Sequence, residues 1–141
     1  MAGCGAPDDG RTIRFGLASG AVTLDPRFAT DATSSRVNRL IYARLVDFDD
    51  ALRAVPSLAR WEALTPTHYR FRLGERHRTF SDGSPLDADD VKATYLSVLD
   101  KETGSPHRGG LVSIERIDVI DRDTVDFYLT KPDLLFPGKL V

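Results

Sequence analysis

The sequence predicts an α+β fold, a mixed sheet of β-hairpins packed on two amphipathic helices. Three stretches carry that expectation. Residues 80–99, FSDGSPLDADDVKATYLSVL, read as an aromatic strand end, a tight turn and a strongly capped helix. Residues 61–73 alternate apolar and polar on either side of Thr65-Pro66-Thr67, the pattern of a hairpin. Residues 112–129 do the same around Asp121-Arg122-Asp123.

Size and composition narrow the function classes. A chain of 141 residues is long enough for one domain with its own core. Its 41% hydrophobic and 28% charged residues are ordinary for a globular protein. The net charge of −2 is spread with both signs mixed, which argues against a nucleic-acid surface, where Lys and Arg would cluster. No apolar run approaches the roughly 20 residues of a membrane-spanning helix. A single cysteine, Cys4, excludes an intrachain disulfide.

Taken in order, residues 3–10 are rich in Gly, Pro and Asp and predict a disordered tail. Residues 12–18 place Ile13, Phe15 and Leu17 on one face, as a half-buried strand does. Ser19, Gly20, Ala21 and Val22 then form a loop that Leu24-Asp25-Pro26 closes. Thr33 or Ser34 can cap a helix running to about Val46, with Val37, Leu40, Ile41 and Leu45 as its apolar stripe. In the first hairpin Tyr69, Phe71 and Leu73 point to a core and Arg70 and Arg72 to water. The basic run of Arg70, Arg72, Arg76, His77 and Arg78 reads as a solvated strand face, diluted by Glu75 and nearby aspartates.

The organising stretch is the most informative. Asp82-Gly83 favours a positive φ and Pro85 stiffens the exit. Asp87 is a good N-cap, because its carboxylate can accept from the orphan N–H groups of the first turn. Asp90 stands in the acidic capping-box position, and Leu86 and Val91 form a hydrophobic staple. Asp87, Asp89 and Asp90 all sit at the positive end of the helix dipole. Val91, Tyr95, Val98 and Leu99 make one buried stripe. Residues 104–110 read as loop, and the two out-of-phase pairs Val112/Ile114 and Ile117/Val119 predict a bulge near Glu115-Arg116. The expected core comprises Trp61, Tyr69, Phe71, Phe80, Val91, Tyr95 and Phe127.

No catalytic constellation holds together. His68, His77 and His107 lack metal-ligand spacing on a shared element, and Cys4 lies in the tail. Neither a Gly-x-Ser-x-Gly elbow nor a Walker-type loop is present. Capping explains the carboxylates at 87, 89 and 90. A glycosidase-like acid pair stays open, since the distance between carboxyls decides it and a sequence contains no distances.

The residues F-S-D-G-S-P-L-D-A-D-D-V resemble the signature region of large extracellular solute-binding proteins of the oligopeptide-, dipeptide- and nickel-binding type. Phe80, Asp82, Gly83, Pro85, Leu86, Ala88, Asp90 and Val91 stand where that pattern requires them. Further blocks are similar: Leu24-Asp25-Pro26, Leu45-Val46-Asp47-Phe48-Asp49, the run from Val55 through Pro56, Leu58 and Ala59 to Trp61, Tyr69 to Leu73, and the second hairpin followed by Pro132. Gly74 departs from the pattern, standing where a basic residue is usual, and the span from Leu73 to Phe80 is one residue longer.

This resemblance covers residues 11–137 and implies the N-terminal part of a two-lobed periplasmic-binding-protein fold. Residues 1–10 would be a tail, 11–46 the start of the first lobe, and 47–141 an α+β subdomain, with the chain cut before the second lobe. It implies capture of a peptide or similar solute, such as a nickel complex, for the membrane subunits of an ABC importer, without cofactor or catalysis. It also places Ser19, Gly20, Ala21 and Val22 as candidate cleft-lining residues. Met1-Ala2-Gly3-Cys4 resembles the end of a bacterial lipobox, which implies lipid on Cys4 and a periplasmic or cell-envelope protein tethered to membrane. An apolar patch is expected around the N-terminal strand and helix, favouring self-association. Two other classes compete: a stand-alone α+β interaction domain without a cleft, and, third, an enzyme.

Overall fold

A computed structural model describes residues 16–75 and 78–141. Its first helix, α1 (Ala32–Ile41), is followed by a small antiparallel pair, β1 (Val46–Phe48) and β2 (Ala54–Pro56). Then come the hairpin β3 (Ala59–Thr65) and β4 (His68–Leu73), the helix α2 (Ala88–Leu99) and a single helical turn α3 (Arg108–Leu111). The hairpin β5 (Ile114–Asp121) and β6 (Thr124–Leu129) and a 3-10 turn at Phe136–Leu140 complete the chain. The four long strands form one sheet in the order β3-β4-β6-β5. Every pairing among the described residues is antiparallel, where a mixed sheet was expected.

The period-2 pattern of the strands divides this sheet into two faces. Trp61, Phe71, Val125 and Val119 are cross-strand neighbours on one face, followed by Ala63, Tyr69, Phe127 and Ile117. That face is the core. Phe71, Phe127 and Phe136 are fully buried, with Phe71 edge-on to Phe127 at 5.2 Å between ring centroids. Helix α2 covers it with Val91, Tyr95, Val98 and Leu99, the stripe expected from sequence. Two tyrosine hydroxyls tie down the C-terminal segment: Tyr69 donates to the Asp133 carbonyl at 2.8 Å and Tyr95 to that of Leu140 at 2.9 Å.

The start of α2 follows the sequence reading. Asp87 is the N-cap and accepts from Asp89 N–H at 3.0 Å and Asp90 N–H at 3.4 Å. Asp90 in turn accepts from Asp87 N–H at 2.9 Å, closing the capping box. Gly83 has φ 90°, as the Asp-Gly turn requires. Asp87→Ala should therefore cost about 1 kcal/mol, read as a lower urea midpoint with unchanged slope. The expected bulge is also present, as a register shift between Ile114 and Arg116.

Other expectations need correction. The N-cap of α1 is Asp31, not Thr33 or Ser34, and its carboxylate accepts from Ser34 N–H at 2.8 Å. The helix stops at Ile41, because the next residues are drawn into sheet-edge pairing. The carbonyls of Arg44 and Leu45 each accept a backbone N–H, from Leu58 and Ala59, at 3.0 Å, and Val46 is fully buried in β1. The stripe of α1 fails too: Leu40 and Ile41 are exposed, and its buried residues are the polar Ser34 and Asn38. Phe80 leaves the core list, being 43% exposed at the first position of the turn whose N–H at Gly83 it accepts. Of the N-terminal strand, residues 12–15 lie outside the described residues, and Gly16 to Ala18 are not strand. The pair β1–β2, the turn α3 and the 3-10 turn are too short to carry a readable period.

Candidate functional site

The loop Ser19-Gly20-Ala21-Val22 is the site that the sequence singled out, and its geometry is set by hydroxyls. Ser34, fully buried in the first turn of α1, accepts from Val22 N–H at 2.9 Å and Thr23 N–H at 3.1 Å. Ser19 and Thr33 bring their hydroxyls to 3.2 Å. A buried serine thus satisfies two loop amides at once and holds the loop against the helix start. Ser34 was expected to cap a helix; it fixes a loop instead.

The continuation is pinned at its far end. Thr23 Oγ1 accepts from Asp25 N–H at 3.0 Å. Asp25 accepts from the Arg27 side chain at Nε and Nη2, the latter at 2.7 Å, and the hydrogen bond from Arg27 holds its carboxyl below the usual carboxylate range. Arg27 Nη1 reaches across to Ser97 Oγ on α2 at 2.9 Å. Ser105 Oγ donates to the Arg27 carbonyl at 2.6 Å, and His107 Nε2 lies 2.9 Å from the Ala29 carbonyl. A carbonyl can only accept, so that histidine nitrogen carries a proton. These contacts fasten residues 19–31 between α1 and the α2–α3 corner.

Ser19, Gly20 and Val22 are exposed, with Val22 at 83%. Leu17, Leu24 and Phe28 beside the loop in sequence, and Leu40, Ile41 and Tyr42 at the end of α1, also expose apolar side chains. The loop residues carry no charge. They can offer backbone amides, carbonyls, one hydroxyl and apolar contact to another body, but not a counter-ion. Asn38, one turn after Ser34, is 6% exposed, and its amide has no hydrogen-bond partner among the described residues. Two open hollows lie elsewhere, one lined by β3 and β4 residues and the other by residues around Arg78 and Asp123, and this loop lines neither. Among the described residues no group of three or more His, Cys, Asp or Glu could hold a metal ion. Cys4 lies outside the described residues.

Residues 54–140 match the model of the bacterial extracellular solute-binding proteins, family 5 Middle. The chain belongs to this family. Its match with SapA, a peptide transport periplasmic protein of Salmonella typhimurium, is 33% identical over 115 residues, covering 68% of this chain and 21% of that protein. YgiS of Escherichia coli, named a probable deoxycholate-binding periplasmic protein, is 31% identical and is covered to 19% by 72% of this chain. Among structures, the periplasmic oligopeptide-binding protein OppAIV of Borrelia burgdorferi aligns with a TM-score of 0.78 and 26% identity, over 87% of this chain and 28% of that one. This family 5 chain thus spans about a fifth of the length of the two relatives it matches. Its α+β architecture is that of part of a periplasmic binding protein, as the sequence resemblance implied.

Proposed function

We propose that this family 5 chain is the N-terminal part of a solute-capture protein for an ABC importer. In this reading the solute, a peptide or a molecule of similar size, is held between two lobes. Residues 11–46 begin the first lobe, residues 47–141 form the α+β subdomain, and the loop from Ser19 to Val22 lines the cleft. The observation that carries it is the family match across residues 54–140 combined with a loop held in place by buried Ser34 and Arg27 contacts. Binding needs no cofactor here and involves no catalysis. The relatives' names include both peptide and deoxycholate, so this reading leaves the chemical class of the solute open.

The uncharged loop also bears on affinity. A micromolar complex is worth about 8 kcal/mol and a millimolar one about 4. A single lobe makes only part of the contacts, so residues 1–141 alone should bind peptides near millimolar or worse. Calorimetry with a peptide panel on this chain and on the full-length protein tests this. Micromolar binding by the shorter chain would show that a complete site lies within it. The exposed residues Leu24, Leu40, Ile41 and Tyr42 support a surface covered by the rest of the first lobe, or by a second copy when that is absent.

Lipid on Cys4 would tether the native protein to a membrane in the periplasm or cell envelope. One acyl chain binds weakly and reversibly, and a second makes anchoring stable. Mass spectrometry of the mature native N-terminus should show acylated Cys4; an unmodified thiol would remove the anchor from this picture.

A further inference from the structure

The face of the four-stranded sheet opposite the core is a grid of charged residues, and most of them are paired. Arg70 meets Asp126 through two hydrogen bonds of 2.8 and 2.7 Å, His68 Nε2 meets the same carboxylate at 2.8 Å, and Arg116 meets Asp118 at 2.6 Å. One row departs from this. Arg60 on β3 stands directly opposite Arg72 on β4, and both are exposed. Among the described residues neither has a carboxylate within salt-bridge distance. Asp121, opposite Thr124 in the same row, interacts with Arg72 through charge but forms no ion pair with it. Like charges facing each other across a ladder destabilise a sheet, modestly where both face solvent, and an anion bound between them would remove that cost.

The two guanidinium groups line an open hollow of about 1040 Å³, together with Ser57, Glu62, Arg70 and Glu75 among others. Arg70 is already committed to Asp126, so two guanidinium forks remain to receive a ligand. We propose that this hollow is an anion subsite, separate from the loop at Ser19 to Val22, in which Arg60 and Arg72 together hold the carboxylate of a small solute. Guanidinium forks match carboxylate geometry. Glu62 and Glu75 at the margin disfavour a doubly charged phosphate more than a singly charged carboxylate, which selects the ligand class by repulsion.

The test is titration of the 141-residue chain with acetate, a singly charged carboxylate, at low ionic strength, following the Arg Nε–H signals by NMR. Acetamide, the neutral isostere, is the control. Saturable shifts of Arg60 and Arg72 at millimolar acetate, absent with acetamide, are expected. Arg60→Gln or Arg72→Gln should weaken binding at least tenfold, while Arg116→Gln, on the same face but paired, should leave it unchanged. Amide spectra of the variants establish that each is folded. The subsite is ruled out if no saturable shift occurs, if acetamide binds equally, or if Arg116→Gln weakens binding as much as the other two. Inorganic phosphate binding more tightly than acetate would overturn the choice of carboxylate.

Discussion

Phe71→Ala should lower the unfolding free energy by about 3–5 kcal/mol, the range for a buried aromatic that leaves a cavity. Phe71 is fully buried at the middle of β4 and touches three other rings: Trp61 at 6.2 Å, Phe127 at 5.2 Å and Phe136 at 6.4 Å between centroids. Those rings come from β3, β6 and the C-terminal turn, so no one element can move to fill the space. Urea unfolding followed by Trp61 fluorescence would report the loss. Phe80→Ala is the control: with that ring exposed at a turn, the change should stay within about 0.5 kcal/mol. Equal losses at the two positions would mean that the core has been misassigned.

Asp126→Ala should be the most damaging change on the polar face of the sheet. The carboxylate is fully buried and takes all its hydrogen bonds from Arg70 and His68. Burial by itself raises this carboxyl, but the hydrogen bonds from Arg70 and His68 and the nearby positive charge outweigh it and hold the carboxyl below its usual value. Breaking a buried ion pair by removing one partner costs about 3–5 kcal/mol; here about 2–3 is expected, since Arg70 and His68 retain access to water. The pH dependence follows from the sign of the shift. A depressed carboxyl contributes stability in full above the unfolded value, ~3.9 for Asp, and loses it as pH falls through the folded value. Acid unfolding of the parent chain should therefore carry a contribution that Asp126→Ala lacks. If the gap between parent and variant stays constant from pH 7 down to pH 2, the ion pair is not its source.

What could be read from sequence was local. The capping box at Asp87 and Asp90, the positive φ at Gly83, the hairpin around Pro66 and the bulge by Glu115 each depend on residues within a few positions of one another. Asp126 could not be read that way. Its alternation with Val125 and Phe127 predicts an outward residue, and it does lie on the outward face. Its burial comes from Arg70 and His68, more than fifty positions earlier, through the pairing of β4 with β6. The site divides similarly. The loop was located by its small residues, but nothing near it in the chain announces that Ser34, Ser97, Ser105 and His107 hold that region. Helix α1 misled because Leu40 and Ile41 have helical spacing, yet the structure buries Ser34 and Asn38 instead.

The strand order β3-β4-β6-β5 has a consequence for how the protein is made. The hairpin β3–β4 can close early, across a short turn, but β4 has its second neighbour only when residues 124–129 arrive. Chain closure over such a separation must be met before the contacts that reward it exist, which slows folding relative to local structure. During synthesis, at about 5–20 residues per second, Tyr69 and Phe71 emerge several seconds before Phe127. For that interval the second edge of an aromatic strand stands unpaired on the nascent chain, a template for wrong pairing, until β6 seals the sheet.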